Sequence, residues 1–149
     1  MMTTGALLLM KGDVSGAIDR LKAFDDWVEG KLASSPSEEF QIVLLFDRFE
    51  SLPALAMAYK RNGEEALAKA SWEGCLKAGE EHVELSGENP QVLRNLWLRY
   101  RFGKAMNFLE ATEVDERIDE LTEEIKRRRL FNEEAEEALK ELFEEMVPK

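Results

Sequence analysis

The sequence predicts an all-α fold of six or seven antiparallel helices, arranged as an array of helical hairpins or as a right-handed superhelical bundle. Three observations support this prediction. Apolar residues recur at helical spacing along the chain, signals that start or stop a helix separate these stretches, and the one β-like run, residues 41–46, has neighbours at helical spacing. A chain of 149 residues with this pattern is expected to form a single all-helical domain over residues 1–149.

The boundaries of the helices follow from capping residues. Helix ends are indicated at Gly12 and Gly63, because glycine adopts the left-handed conformation found there. Asp13 can then cap the second helix. Further starts are indicated, in chain order, by Ser35-Pro36 with Glu38 as a capping box, by Asn89-Pro90, by Thr112 and by Asn132. The predicted helices span residues 3–11, 13–32, 36–61, 64–86, 90–111, 113–129 and 132–146.

Two predicted helices have unusual sequences. The third contains Pro53, which is expected to kink or split it near Ser51. The fifth has apolar residues around nearly its whole circumference and is therefore expected to be the most buried. Its arginines are expected to pair with the acidic last helices of the same chain or to face a groove for an acidic segment.

Composition excludes several classes of partner. The chain has 20 Lys and Arg against 31 Asp and Glu, a formal net charge of −11 that would repel a nucleic acid. No stretch approaches the roughly 20 apolar residues of a membrane span, so we expect no membrane partner. One cysteine allows no intramolecular disulfide and is typical of a reducing compartment. A cytoplasmic location is expected.

The sequence contains none of the glycine-rich phosphate loops, nucleophile elbows or zinc-binding motifs that mark common enzymes. His82 is interpreted as a solvated residue whose pKa is raised by nearby carboxylates, and Cys75 as a packing residue. We therefore expect no catalytic residues, no metal and no cofactor. The many glutamates leave one alternative open, a helical-bundle enzyme that binds a metal or a small molecule through a cluster of them.

An internal repeat is indicated by turns at Gly12, Gly63 and Thr112, which are separated by 51 and 49 residues. Residues 52–76 place apolar, small and aromatic side chains around the middle turn, at Leu52, Leu55, Ala56, Tyr59, Gly63, Ala68, Trp72 and Cys75. This segment resembles a tetratricopeptide repeat. It departs from that family in spacing, which is 34 residues there, and in having Glu80 at the position of the closing proline.

The resemblance implies stacked helical hairpins in which the first helix of each pair lines a concave groove. The family's groove positions fall on Met2, Ala6 and Leu9 in the first segment and begin at Pro53 in the second. The residues that the resemblance predicts to bind a partner are Met57, Lys60, Arg99, Phe102, Met106 and Leu109. Methionine is flexible and suits adaptable binding of apolar helices.

These observations together predict a non-enzymatic protein–protein interaction module, an adaptor that binds an apolar or amphipathic segment of a protein or peptide in the groove. Residues 132–146 form an amphipathic C-terminal helix that is expected to cap the array or to dock on another protomer. Self-association through this helix is a second form of the prediction. A purely structural homo-oligomer is the remaining alternative.

Overall fold

The computed structural model describes residues 4–87 and 89–146, with the side chain of Ala111 left out, so Met2 and the predicted helix start at residue 3 lie outside the described residues. Within these ranges the chain forms seven α-helices and no strand, which confirms the all-α prediction. The helices are α1 (Thr4–Met10), α2 (Val14–Ala33), α3 (Glu38–Arg61), α4 (Glu65–Ser86), α5 (Pro90–Ala105), α6 (Ala111–Arg127) and α7 (Glu133–Met146).

Successive helices from α1 to α6 pack side by side and run antiparallel, because short links join them. Helices α1, α3 and α5 therefore point the same way, and their C-terminal ends lie together. The Arg61 guanidinium donates a hydrogen bond to the carbonyl of Leu9 at 2.6 Å, and the Lys60 ammonium donates one to the carbonyl of Met106 at 3.0 Å. Both cations lie where the C-terminal carbonyls of a neighbouring helix need donors.

Most helix ends use a residue in the left-handed conformation. Gly12 and Gly63 have positive φ, as predicted, and so do Asn107 and Arg129. After Asn107, the Phe108 amide donates to the carbonyl of Gly103 at 2.9 Å, a bond that closes the last turn of a helix. Helix α5 therefore ends at Ala105, and the predicted end at residue 111 is wrong.

The N-caps are partly as predicted. The side chains of Asp13, Asn89 and Asn132 accept hydrogen bonds from amides in the first turns of α2, α5 and α7. For α3 the predicted cap lies two residues too early, because Ser37 rather than Ser35 accepts the hydrogen bond from the Phe40 amide. Thr112 is not a cap, since α6 begins at Ala111 without a side-chain cap.

The core is organised around the C-terminal half of α3. Residues 51–59 are all buried, whereas the fifth helix, which was expected to be the most buried, keeps an exposed side at Arg101, Lys104 and Ala105. Helix α3 packs most closely on α4. A Cβ atom at Gly79 of α4 would lie 2.6 Å from Cε1 of Phe49, so only glycine allows the two helices to come this close.

Pro53 lies inside α3, which is one helix from Glu38 to Arg61, so the predicted split is absent, whereas a kink near Ser51 stays a prediction. Proline has no amide hydrogen, so the carbonyl of Phe49, four residues earlier, loses its helical partner. The Cys75 thiol of α4 lies 3.3 Å from that carbonyl oxygen and donates to it. Burial raises the pKa of Cys75 to about 12. The thiol therefore keeps its proton and can donate this hydrogen bond. The cysteine therefore substitutes for the missing amide.

This pairing predicts that replacing Cys75 is costly only while Pro53 is present. Cys75→Ala is expected to lower the free energy of unfolding by about 1–2 kcal/mol, from lost packing and an unpaired buried carbonyl. In a Pro53→Ala background, where residue 53 regains its amide, the loss is expected to be smaller by about 0.5–1 kcal/mol. Urea unfolding of the four proteins measures the difference. Equal losses in both backgrounds would show that the thiol contributes packing alone.

Candidate protein-binding groove

One face of α3 defines the candidate site. Positions spaced three or four residues apart lie on one side of a helix, and on α3 this side comprises Val43, Phe46, Glu50, Pro53, Met57 and Lys60. We call this side, together with Leu98 and Phe102 of the parallel helix α5, the groove face.

Helix α7 covers part of the groove face. It contacts both α1 and α3. The ring of Phe143, which is buried, lies edge-on to Phe102 of α5 at 5.2 Å between centroids and to Trp72 of α4 at 5.5 Å. Near the start of the helix, Glu136 accepts a hydrogen bond of 2.7 Å from Arg101. Met146, also buried, completes the apolar side of α7.

The six residues that the sequence predicts to bind a partner divide into two groups. Met57 and Arg99 are buried, with 1% and 3% of their surface exposed. Lys60, Phe102, Met106 and Leu109 are partly buried and border the core. From the first segment and the start of the second, Ala6, Leu9 and Pro53 are buried as well. At this degree of burial, no partner could touch Met57 or Arg99 unless the side chains around them moved.

The guanidinium of Arg99 is held by other groups of its own chain. Its guanidinium lies 4.3 Å from the centroid of the Phe49 ring, and its Nη2 is 3.6 Å from a carboxylate oxygen of Glu50. Its Nη1 donates to the carbonyl of Asn95 at 3.3 Å. A buried charge needs such partners to offset its desolvation. In this arrangement Arg99 joins α5 to α3 and presents no free charge to a ligand.

Lys60 and Met106 are joined to each other. The Lys60 ammonium that donates to the Met106 carbonyl also lies 5.0 Å from the centroid of the Phe108 ring. The ammonium is therefore occupied by the end of α5 and by a cation–π contact. Phe108 in turn stacks on Trp72 at 5.1 Å. These two predicted binding residues hold the link between α5 and α6 against α3.

The N-terminal half of the groove face is open. Val43 is 53% exposed and Phe46 is 39% exposed, and Phe40, one turn before Val43, is exposed too. The sequence did not single out these residues, because an apolar run such as residues 41–46 gives no sign of which side faces the core. Three large apolar side chains on one helix surface are more than a solvated helix needs.

His82 of α4 lies beside this open half. Its ring is 5.8 Å from that of Phe46, it is buried, and its Nδ1 has no hydrogen-bond partner among the described residues. Burial lowers its pKa below the ordinary value of 6.5. The expectation of a solvated histidine with a raised pKa is therefore wrong. Its carboxylate neighbours in sequence do not offset the cost of charging it.

The described part of the chain shows no arrangement typical of catalysis by a metal. No three His, Cys, Asp or Glu side chains in residues 4–87 and 89–146 come together in a way that could hold a metal ion. No helix within these ranges is long and apolar enough to cross a membrane. Comparison of the chain with protein-family models, with curated proteins and with solved structures finds no match. The tetratricopeptide resemblance stays a prediction from residues 52–76.

The burial of Met57 leads to a prediction about stability. Met57→Ala is expected to lower the free energy of unfolding by about 2–5 kcal/mol, the range for removing a buried methionine side chain. Phe40→Ala, at an exposed position of the same helix, is the matched control and is expected to change stability by less than about 1 kcal/mol. Chemical unfolding followed by circular dichroism compares them. A Met57→Ala variant as stable as the control would return Met57 to the set of accessible binding residues.

The environment of His82 leads to a prediction about pH. In the folded chain its pKa is lowered, so below about pH 6.5 the unfolded chain binds a proton that the folded chain does not. Stability that is present above pH 6.5 is therefore lost as the pH falls. Unfolding free energies of the wild type and His82→Phe, measured between pH 7.5 and 5.5, are expected to diverge, with the wild type losing more. Parallel curves would mean that His82 titrates normally.

Proposed function

We propose that this chain is a non-enzymatic protein-interaction module whose groove face binds an amphipathic helical segment of another protein or peptide. One observation carries the proposal. An amphipathic helix of this same chain, α7, contacts α3 and packs the buried ring of Phe143 against Phe102 of that face, while its Glu136 pairs with Arg101 of α5. Helix-in-groove recognition uses the same kind of anchors at helical spacing.

The way in which α7 is held supports exchange with a partner. Its only buried side chains are Phe143 and Met146, near its C-terminal end. Its ion pair to Arg101 is partly exposed and is therefore worth little. Helix α7 is joined to α6 by the short link 128–132, which gives it a high effective concentration at the groove face. Much of the free energy by which it outcompetes a separate helix comes from this link. A partner helix with more anchors would compete with it.

The open half of the groove face offers those further anchors. Val43 and Phe46 lie on the same side of α3 as Pro53 and Met57, and both are exposed. A partner segment longer than the 14 residues of α7 could fill both halves. Glu50 lies between them and is partly exposed. A partner with a basic residue at that register would therefore gain a charged contact.

Self-association is the same proposal with a second copy as the partner. Helix α7 of one protomer would occupy the groove face of the other, with the same contacts that it makes within its own chain. Exchange of an identical element is a low-cost route to a dimer. Light scattering of the purified chain over a range of concentrations tests this form. A molar mass that rises from monomer to dimer with concentration would show association without a foreign partner.

A peptide with the sequence of residues 132–146 tests the proposal. The labelled peptide is titrated into the full chain and into Phe143→Ala, which loses the main anchor of the resident α7. We expect the variant to bind the peptide at least about 10-fold more tightly, which corresponds to about 1.4 kcal/mol. Fluorescence anisotropy measures the binding, and circular dichroism confirms that the variant remains folded.

Two further variants make the outcome decisive. Trp27→Ala truncates an aromatic on α2, which is exposed and stacks on Phe24 of its own helix, and it is expected to bind the peptide like the wild type. Glu136→Arg places a positive charge against Arg101 and loosens α7 without changing the core. If neither Phe143→Ala nor Glu136→Arg binds the peptide more tightly than Trp27→Ala, the groove face is ordinary core and the proposal fails.

A further inference from the structure

We propose a second binding site, separate from the groove face, that takes a small organic anion with an apolar body. The site is a cavity of about 510 Å³, within the range of volumes that hold small ligands. It lies where α5, α6 and α7 meet. Its lining residues are Trp97, Arg101, Ile118, Thr122, Ile125, Lys126, Phe131 and Glu136.

The walls of the cavity are apolar. Ile125 is buried, and the ring of Phe131, which is 56% exposed, lies edge-on to that of Trp97 at 6.4 Å. The polar atoms of the wall already have partners, since the Trp97 indole donates to the Thr122 hydroxyl at 2.9 Å. That hydroxyl donates in turn to the carbonyl of Ile118 at 2.7 Å. These walls therefore offer contact to hydrocarbon or aromatic groups and no free hydrogen bond.

The charges of the cavity are mainly positive, although the chain as a whole is acidic. Arg101 stacks over Trp97 at 4.7 Å and uses one of its nitrogens to pair with Glu136. Lys126 makes no ion pair with any residue in 4–87 or 89–146. Two cations thus share one acid. A carboxylate or sulfonate could bind between Arg101 and Lys126, whereas a cationic ligand would be repelled.

The same ion pair separates this cavity from a neighbouring one of about 240 Å³. Arg101 and Glu136 line both, and Lys140 of α7 adds a further cation to the smaller cavity. Because Lys140 has no ion pair within the described part of the chain, it adds to the local positive charge. An elongated ligand could therefore place its anionic end at Arg101 and lay its apolar body along Ile118, Ile125 and Phe131.

Decanoate tests the site, with decanol as the neutral molecule of the same length. Isothermal titration calorimetry of the full chain at low salt is expected to show saturable binding of one decanoate per chain. Decanol is expected to bind at least about 10-fold more weakly, because it cannot form the charged contacts. Raising the salt concentration is expected to weaken decanoate binding, since both cations are exposed to solvent.

Matched variants locate the binding. Lys126→Gln is expected to weaken decanoate binding at least about fivefold, and Phe131→Ala is expected to weaken decanoate and decanol alike. Lys22→Gln removes one positive charge at an exposed position of α2 and is expected to change nothing. Absence of saturable binding, equal affinities of Lys126→Gln and Lys22→Gln, or equal binding of decanol and decanoate would each overturn the proposal. None of these results depends on whether the groove face binds a helix.

Discussion

The fold depends on one continuous stretch of α3, residues 51–59, that has no exposed side. A helix buried all round must be surrounded on every side, and here α2 and α4 flank it while α1 and α7 contact it as well. Close approach then requires a small residue such as Gly79, which faces Phe49, and a donor such as the Cys75 thiol for the Phe49 carbonyl that Pro53 leaves unpaired. The N-terminal half of the same helix is covered on one side only, and there Phe40, Val43 and Phe46 remain exposed.

Local signals made most of the fold predictable. Glycine after a helix, and Asp or Asn before one, act within a few residues, so Gly12, Gly63, Asn89 and Asn132 indicate real boundaries. Asn107 is the same kind of signal, and it was missed because apolar residues continue on both sides of it. At Pro53 the sequence did not distinguish a split helix from a continuous one. The cost of the proline is offset by a thiol from another helix, which no local pattern reveals.

The candidate site was less predictable, because it depends on which element lies on top. The groove positions do fall on helices that run parallel, but whether Met57 faces a partner or the core depends on what packs over α3, and the helices that contact α3 include α7, far along the chain. Arg99 shows the same difficulty: the spacing places it on a groove, while its stacking on Phe49 and its pairing with Glu50 make it part of the interior. Core packing and helix recognition use the same apolar contacts, so composition alone does not separate them.

The single cysteine has a practical consequence for experiments on this chain. Its sulfur is fully buried and remains in the neutral form at ordinary pH, whereas alkylating reagents react with an exposed thiolate. A cysteine introduced on the surface would therefore be the one position that a maleimide dye or a nitroxide modifies. Probes on α7 and on α3 could then report the distance between these helices, and any movement of α7 when a partner is added, without first removing the native residue.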